Sequence, residues 1–380
     1  MGGDFHGSYA PEDVTFLLKV VELAPLGIEE RELRVQSGES HYSEMIGPEA
    51  PPDPDYLSFF AEALERNLGR LASDLVKTAS LIALLRPGPV TLVSIARSGT
   101  PVGVVLGRLL RALFARDCVH FSISVVRDRG ADLNALRRVA SLRPPESVVF
   151  VDGWTGKGVI ARELRRSLAG PGAALGAAFP RELAVLSDLC GEAELSAGSD
   201  DWLIPTCLLN GTVSGLVSRT ILNRDLTGPG DFHGCLYYGG LEPHDLSRPL
   251  ADRMTAAAAA AARRDPRLLA WCEFPREAER ARAREGSRAF LDSVRRRYGI
   301  SDPNHVKPGL GEATRALLRR SPGLLAVRDP GDPDVRHAIL LAGRRGVPVE
   351  VDTALAYRAV ALIRRVLPEA ARRPAGGEAA

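Results

Sequence analysis

Residues 147–158, SVVFVDGWTGKG, form an apolar run that stops at an acid, then turns through Thr155, Gly156, Lys157 and Gly158 into a helix-like stretch, VIARELRRSL. An uninterrupted apolar strand followed by a glycine-rich turn and an amphipathic helix is the repeating unit of a parallel sheet covered on both faces. The unit recurs. PVTLVSIARSGTPVGVVLGRLLRALF has the same form, with its turn at 96–101, and HFSISVVRDRG ends a further strand at Arg127-Asp128-Arg129-Gly130. The expected fold is therefore α/β, a mainly parallel sheet with flanking helices.

The turn at 152–158 has the chemistry of a phosphate cradle. Glycines let the backbone approach a ligand, successive N–H groups point into the turn, and the helix start adds positive charge beside Lys157. Asp152 would repel a phosphate unless it also bound sugar hydroxyls or a divalent metal. The implied ligand is a sugar phosphate with Mg²⁺, which Asp152 would reach through the substrate. A nucleotide P-loop is excluded by spacing, because Gly153 and Gly156 are separated by only two residues and Gly158, not a hydroxyl residue, follows Lys157. The turn at 96–101 offers a second anion site, with the guanidinium fork of Arg97 and the donors of Ser98, Gly99 and Thr100.

Two such turns on successive parallel strands resemble the type I phosphoribosyltransferases. The resemblance implies that Asp152, Gly153, Thr155, Gly156, Lys157 and Gly158 hold the phosphoribosyl half of phosphoribosyl pyrophosphate, and that Arg97, Ser98, Gly99 and Thr100 grip the pyrophosphate. The chain departs from that family in having Asp152-Gly153 where two acids are usual, and in a shorter turn that ends at Gly158. A closer resemblance is carried by GSYAPEDVTFLLK at 7–19, QSGESHYSEM at 36–45, TVSGLVSRTILN at 212–223 and GPGDFHGCLYYGGLEPHDLS at 228–247. These segments are similar to the phosphoribosyltransferase-like family of tellurite-resistance-type stress operons, often labelled the cysteine protease StiP. The implied activity is a pentosyl transfer from phosphoribosyl pyrophosphate with Mg²⁺ to an unnamed acceptor. In such a transfer Arg127 and Arg129 would neutralise the departing charge, and a loop at 127–134 would close over the site. Asp231 or His233 would be the base, and His41, Tyr42, Glu44, Arg219 and Asn223 would meet the acceptor.

Two other function classes stay open. A cysteine hydrolase would use Cys235 as nucleophile with His233, His244 or His41 as base, against the alternative that Cys235 is a packed core thiol. A non-catalytic sensor would bind a nucleotide or sugar phosphate and report through RNA. No tight His/Cys/carboxylate spacing suggests a metal site of its own.

The C-terminal part carries a different signal. Residues 251–380 hold 25 Lys+Arg against 16 Asp+Glu, whereas residues 1–250 hold 24 against 31, so the basic end suggests an anionic partner. Residues 251–300 read as a helical linker broken near Pro266 and Pro275, and 301–368 as alternating helix and strand ending in a helix. This last segment resembles the Pelota-type RNA-binding domain, whose GxxE-T-K/R turn is matched by Gly309-Leu310-Gly311-Glu312-Ala313-Thr314-Arg315. Structured RNA is the implied partner, with Lys307, Gly311, Glu312, Thr314, Arg315, Arg319 and Arg320 as contacts. The expected organisation is a catalytic domain over 1–250, the linker, the Pelota-like domain, and a disordered tail at 369–380. Five scattered cysteines without a CxxC pair, no apolar run of spanning length and no signal peptide lead us to expect a cytoplasmic protein, and the phosphoribosyltransferase resemblance implies a homodimer.

Overall fold

The computed structural model describes residues 4–169 and 177–365. A six-stranded sheet forms the centre, built from β1 (Thr15–Phe16), β2 (Val90–Ile95), β3 (Cys118–Ile123), β4 (Val148–Val151), β5 (Leu183–Val185) and β6 (Leu195–Ser196). Its order is β1-β3-β2-β4-β5-β6, and every neighbouring pair is parallel. The fold is α/β, as expected from the strand–turn–helix repeat.

Strand pleat explains why both faces are covered. Leu92, Val149 and Val151 enter one apolar cluster, whereas Val93, Phe150 and Val185 enter another on the opposite face. Helices supply the partners, namely α1 (Ile28–Gln36), α2 (Pro54–Leu85), α3 (Gly99–Phe114), α4 (Leu133–Leu142) and α5 (Val159–Ala169). The first face packs against α2 and α3, and the second against α4 and α5. The start of α2 is fixed locally, because the Asp53 side chain accepts from Tyr56 N at 2.9 Å and Pro54 follows the cap.

The alanine-rich stretch forms α6 (Ser247–Arg264). It is not a free linker, since Leu250, Ala251, Met254, Ala258, Ala261 and Ala262 are buried in the same core as α2 and α3. A short turn at Pro266–Ala270 breaks it from α7 (Glu277–Arg297), and the C-terminal sheet follows. That sheet orders β7 (Val306–Pro308), β10 (Ala359–Ile363), β8 (Pro322–Val327) and β9 (Val349–Val351), with α8 (Gly309–Arg319) and α9 (Arg336–Arg344) against it. The expected final helix is instead strand β10. Its AVALI run is central and wholly buried, antiparallel to both β7 and β8, and a buried apolar run of that length is helix-like and strand-like alike.

The two units share one core. Leu310, Ala313 and Leu317 of α8 and Leu325 of β8 belong to the cluster that contains α2 and α3. The C-terminal unit is thus docked through its own motif helix. No helix among the described residues is long and apolar enough to cross a membrane. The expected tail at 369–380 lies outside the described residues.

Candidate functional site

The two turns that the sequence singles out touch each other. Asp152 Oδ1, just past β4, accepts from Ser98 Oγ at 2.5 Å and from its neighbour Gly153 N at 2.7 Å. A Cβ on Gly99 would collide with the carbonyl oxygen of Val151, so only glycine lets α3 start this close to the strand. Burial raises the Asp152 carboxyl above its ordinary range, against the Ser98 hydrogen bond that lowers it.

The first unit satisfies most of its own polar groups here. Arg97 is buried and binds Glu49 at 2.9 Å and Val217 O at 3.0 Å, while Thr100 Oγ1 is 2.8 Å from Ser122 Oγ. Thr155 donates to Asp188 and accepts from Cys190 Sγ at 3.3 Å. Gly158 sits at φ +70°, and a Cβ there would meet Glu192 and Cys190. The Lys157 ammonium donates to Pro303 O and Val306 O, both at 2.8 Å, so it fastens the C-terminal unit. Burial pushes its pKa down.

The motif of the C-terminal domain closes over this turn. Glu312 Oε1 accepts from Lys157 N at 3.1 Å and fills the space that a Cβ on Gly156 would need. A carboxylate of the chain therefore sits where the sequence suggested a phosphate. Gly311 lies against the Trp154 ring, and the Arg315 guanidinium stacks 4.5 Å from the centre of that ring. Thr314 is buried 2.6 Å from His337 Nε2, Arg319 donates to Asn210 and Arg320 pairs with Glu32. Of the residues expected to meet RNA, Gly311, Glu312, Arg315, Arg319 and Arg320 thus face the first unit, whereas Thr314 faces His337 of α9.

Between the two units lies a cavity of about 330 Å³. Tyr42, Ser98, Arg127, Asp152, Thr155–Gly158 and Arg219 line it from the first unit, and Lys307, Glu312, Arg315, Arg319 and Arg320 from the second. The Tyr42 ring carries Arg127 at 4.8 Å and Arg219 at 5.6 Å, and its hydroxyl accepts from Arg127 N at 2.9 Å. Arg219 also donates to Met45 O, and burial lowers its pKa to about 10. His41 caps the Tyr42–Glu44 turn, Glu44 pairs with Arg129 at 3.1 Å, and Asn223 donates to Glu44 O at 3.3 Å. Segments far apart in sequence are therefore brought together as one cluster around Tyr42. The segment at 127–134 is a short hairpin joining Val125–Val126 to Gly130–Ala131, followed by α4.

Other expected residues lie elsewhere. Asp231 pairs with Lys19 at 2.7 Å on the surface, and His233 Nδ1 is 2.8 Å from Ser124 Oγ. Cys235 is fully buried in the core, where burial pushes its thiol up to about 12. None of these three lines the cavity. Sequence reading missed Arg31, Glu32, Glu49 and Asp188. Glu32 and Arg31 stand in the charged helix IEERELRVQ, whose signal is that of an ordinary solvated face. Among the described residues no group of three or more His, Cys, Asp and Glu could hold a metal ion, and Asp152 is the single carboxylate of its turn.

The comparison with known proteins decides the family. A family model described as tellurite-like stress resistance cysteine protease StiP matches residues 7–255, and a PELOTA RNA binding domain matches 285–365. The cysteine protease StiP of Acinetobacter baylyi (strain ATCC 33305 / BD413 / ADP1) is 38% identical over 373 residues, 95% of each chain. This chain belongs to the StiP family. It carries the Pelota RNA-binding domain at its C-terminal end. The StiP match corrects the expectation of a phosphoribosyl pyrophosphate- and Mg²⁺-dependent pentosyltransferase, because the activity in the family's description is that of a cysteine protease. The geometry gives the physical reason the motif misled. In the StiP-type chain Arg97 is consumed by Glu49, Lys157 by two carbonyls, and the N–H of the cradle by Glu312.

Proposed function

We propose that this chain is a stress-resistance cysteine hydrolase of the StiP type that works beside the cationic cavity and engages structured RNA through its C-terminal domain. What carries the reading is the likeness to the A. baylyi cysteine protease across 95% of both chains. Of the thiols, Cys190 is the one we assign first, because its Sγ reaches Thr155, a residue of the cavity wall, at 3.3 Å. Burial, then Asp188, raises that thiol, so turnover requires the wall around Thr155 to open and a cation to approach. The RNA reading rests on the domain match and on the exposed Arg282, Arg288, Arg296 and Arg297 along α7.

A second reading, a ligand-binding protein without thiol chemistry, is favoured by one observation. Burial pushes the thiols of Cys118, Cys207 and Cys235 up to about 12, and no described cysteine hydrogen-bonds a histidine. One experiment separates the two readings. Single Cys→Ala variants at 118, 190, 207, 235 and 272 are assayed on an unfolded protein substrate, with thermal unfolding as the control. Loss of cleavage confined to Cys190→Ala supports the assignment, whereas full activity in all five variants removes the cysteine mechanism.

A further inference from the structure

The cavity wall carries eight cationic side chains and three carboxylates. Most are paired, but two from the C-terminal unit are not. The Lys307 ammonium has no hydrogen bond or ion pair among the described residues, and Arg315 stacks on Trp154 within the field of Asp152, with its Nε buried and unpartnered. Opposite them, Arg127 and Arg219 lie on Tyr42 at 4.8 and 5.6 Å. Cations gathered on one wall repel one another, and the Arg315 Nε, buried without a partner, adds a desolvation cost, while Lys307 is half-buried. Burial, and then Lys157, push Lys307 well below its ordinary pKa, while Glu312 acts the other way. Such a wall is stable only at a cost, and an anion in the cavity removes the cost.

We propose that this cavity binds a compact polyphosphate, two or three linked phosphoryl groups, held by Lys307 and Arg315 from the C-terminal unit and by Arg127 and Arg219 from the first. Charge selects the ligand. Arg127 already pairs with Asp128 and Arg320 with Glu32, so the cations left for a ligand are chiefly Lys307 and Arg315, which two linked phosphoryl groups match better than a single phosphate or a peptide carboxylate. Size agrees, since about 330 Å³ admits a short phosphate chain with or without a nucleoside attached. The ligand bridges the two units, so its binding strengthens their docking. No bond is made or broken in this step, and it does not depend on which thiol acts.

The test is titration calorimetry of the full chain with inorganic pyrophosphate, ADP, ATP and, for comparison, inorganic phosphate, each with and without Mg²⁺. Saturable binding of the di- and triphosphates is expected, with phosphate weaker by about tenfold or more. Pyrophosphate matching ADP identifies the phosphate chain as the ligand, and ADP or ATP alone identifies a nucleotide. Lys307→Ala and Arg315→Ala should each weaken binding by about tenfold, whereas Glu312→Gln, which removes a carboxylate from the wall, should tighten it. Lys307→Ala should unfold no earlier than the parent protein, which rules out a folding defect. Binding should persist in Cys190→Ala, so failure here and failure of the protease reading are distinguishable. The proposal is overturned by no binding at millimolar ligand, by binding indifferent to both cation variants, or by a cavity that responds to RNA oligonucleotides alone.

Discussion

The two walls of the cavity differ in how fully their charged groups are tied. On the side of the first unit, Asp152, Thr155 and Lys157 are tied to partners within the chain, and Arg97, which lies outside this cavity, is tied to Glu49. On the side of the C-terminal unit, Glu312, Arg319 and Arg320 are tied to Lys157, Asn210 and Glu32, but Lys307 and Arg315 meet the cavity without a hydrogen bond. A satisfied wall supplies shape, because its groups are already committed; an unsatisfied one supplies affinity, because its groups gain most from a ligand. The glycine-rich turn, which looks like the binding element in sequence, is thus the scaffold. The C-terminal unit, expected to meet RNA, supplies the free charge, from Lys307 on β7 and Arg315 on α8.

If this contrast holds, breaking a tied group should cost stability and breaking a free one should not. The largest effect is expected at Arg97→Ala. It leaves Glu49 buried beside Gly211 N with its cationic partner gone, and loss of one member of a buried pair costs about 3–5 kcal/mol. Denaturant unfolding measures this, and a loss below about 1 kcal/mol would place Arg97 among the free charges.

Next come two histidines, one in each unit. His120 is buried between Asp13 O and Ser94 Oγ, and His337 beside Thr314; burial lowers each to about 4. The unfolded chain binds more protons between 4 and 6.5, so each histidine withdraws stability as pH falls through that window, by about 3 kcal/mol if the full shift is realised. Asp74 and Asp201, both raised to about 6 by burial, act with the opposite sign over part of the range. The clean measurement is therefore each imidazole's own NMR titration. Both should stay neutral down to about 4, and a midpoint near 6.5 for His337 alone would mean that the C-terminal unit opens in solution.

Sequence made the sheet legible because β2, β3 and β4 are apolar runs followed by turns, a pattern set by local burial on both faces. It also gathered Tyr42, Arg127, Asp152 and Arg219 as one site, and all four line the cavity. What it missed is long-range. Glu312 and Gly156 are 156 positions apart, and no local pattern says that one fills the other's space. Arg97 looked like a free anion hook because Glu49, which neutralises it, stands in a proline-rich stretch with no periodicity. Strand β10 was read as a helix for a related reason. Its apolar run gains its identity from β7 and β8, which flank it only in three dimensions.

Smaller effects probe the docking itself. A methyl group on Gly311 would overlap the Trp154 ring, so Gly311→Ala should loosen the C-terminal unit at a cost of about 1–3 kcal/mol. Gly69→Ala, in α2 with open space around it, should instead stabilise by about 0.5–1 kcal/mol. Limited proteolysis within 265–276, the stretch between α6 and α7, reads the difference. Faster cleavage in the first variant only is the expected outcome.

The smallest change is the sharpest test of the contrast between the walls. Lys307→Met keeps the stem of the side chain and removes an unpartnered charge, so the ligand-free protein should gain about 1 kcal/mol. The sign with pH follows from linkage. The folded pKa of Lys307 lies well below 10.5, so between the two values the unfolded chain holds more protons and stability rises with pH. The methionine variant should lose part of that rise, keeping the share due to Lys157, whose pKa is also lowered by burial. Parallel pH–stability curves for parent and variant would mean that Lys307 already has a partner in solution, and the two walls would then be alike.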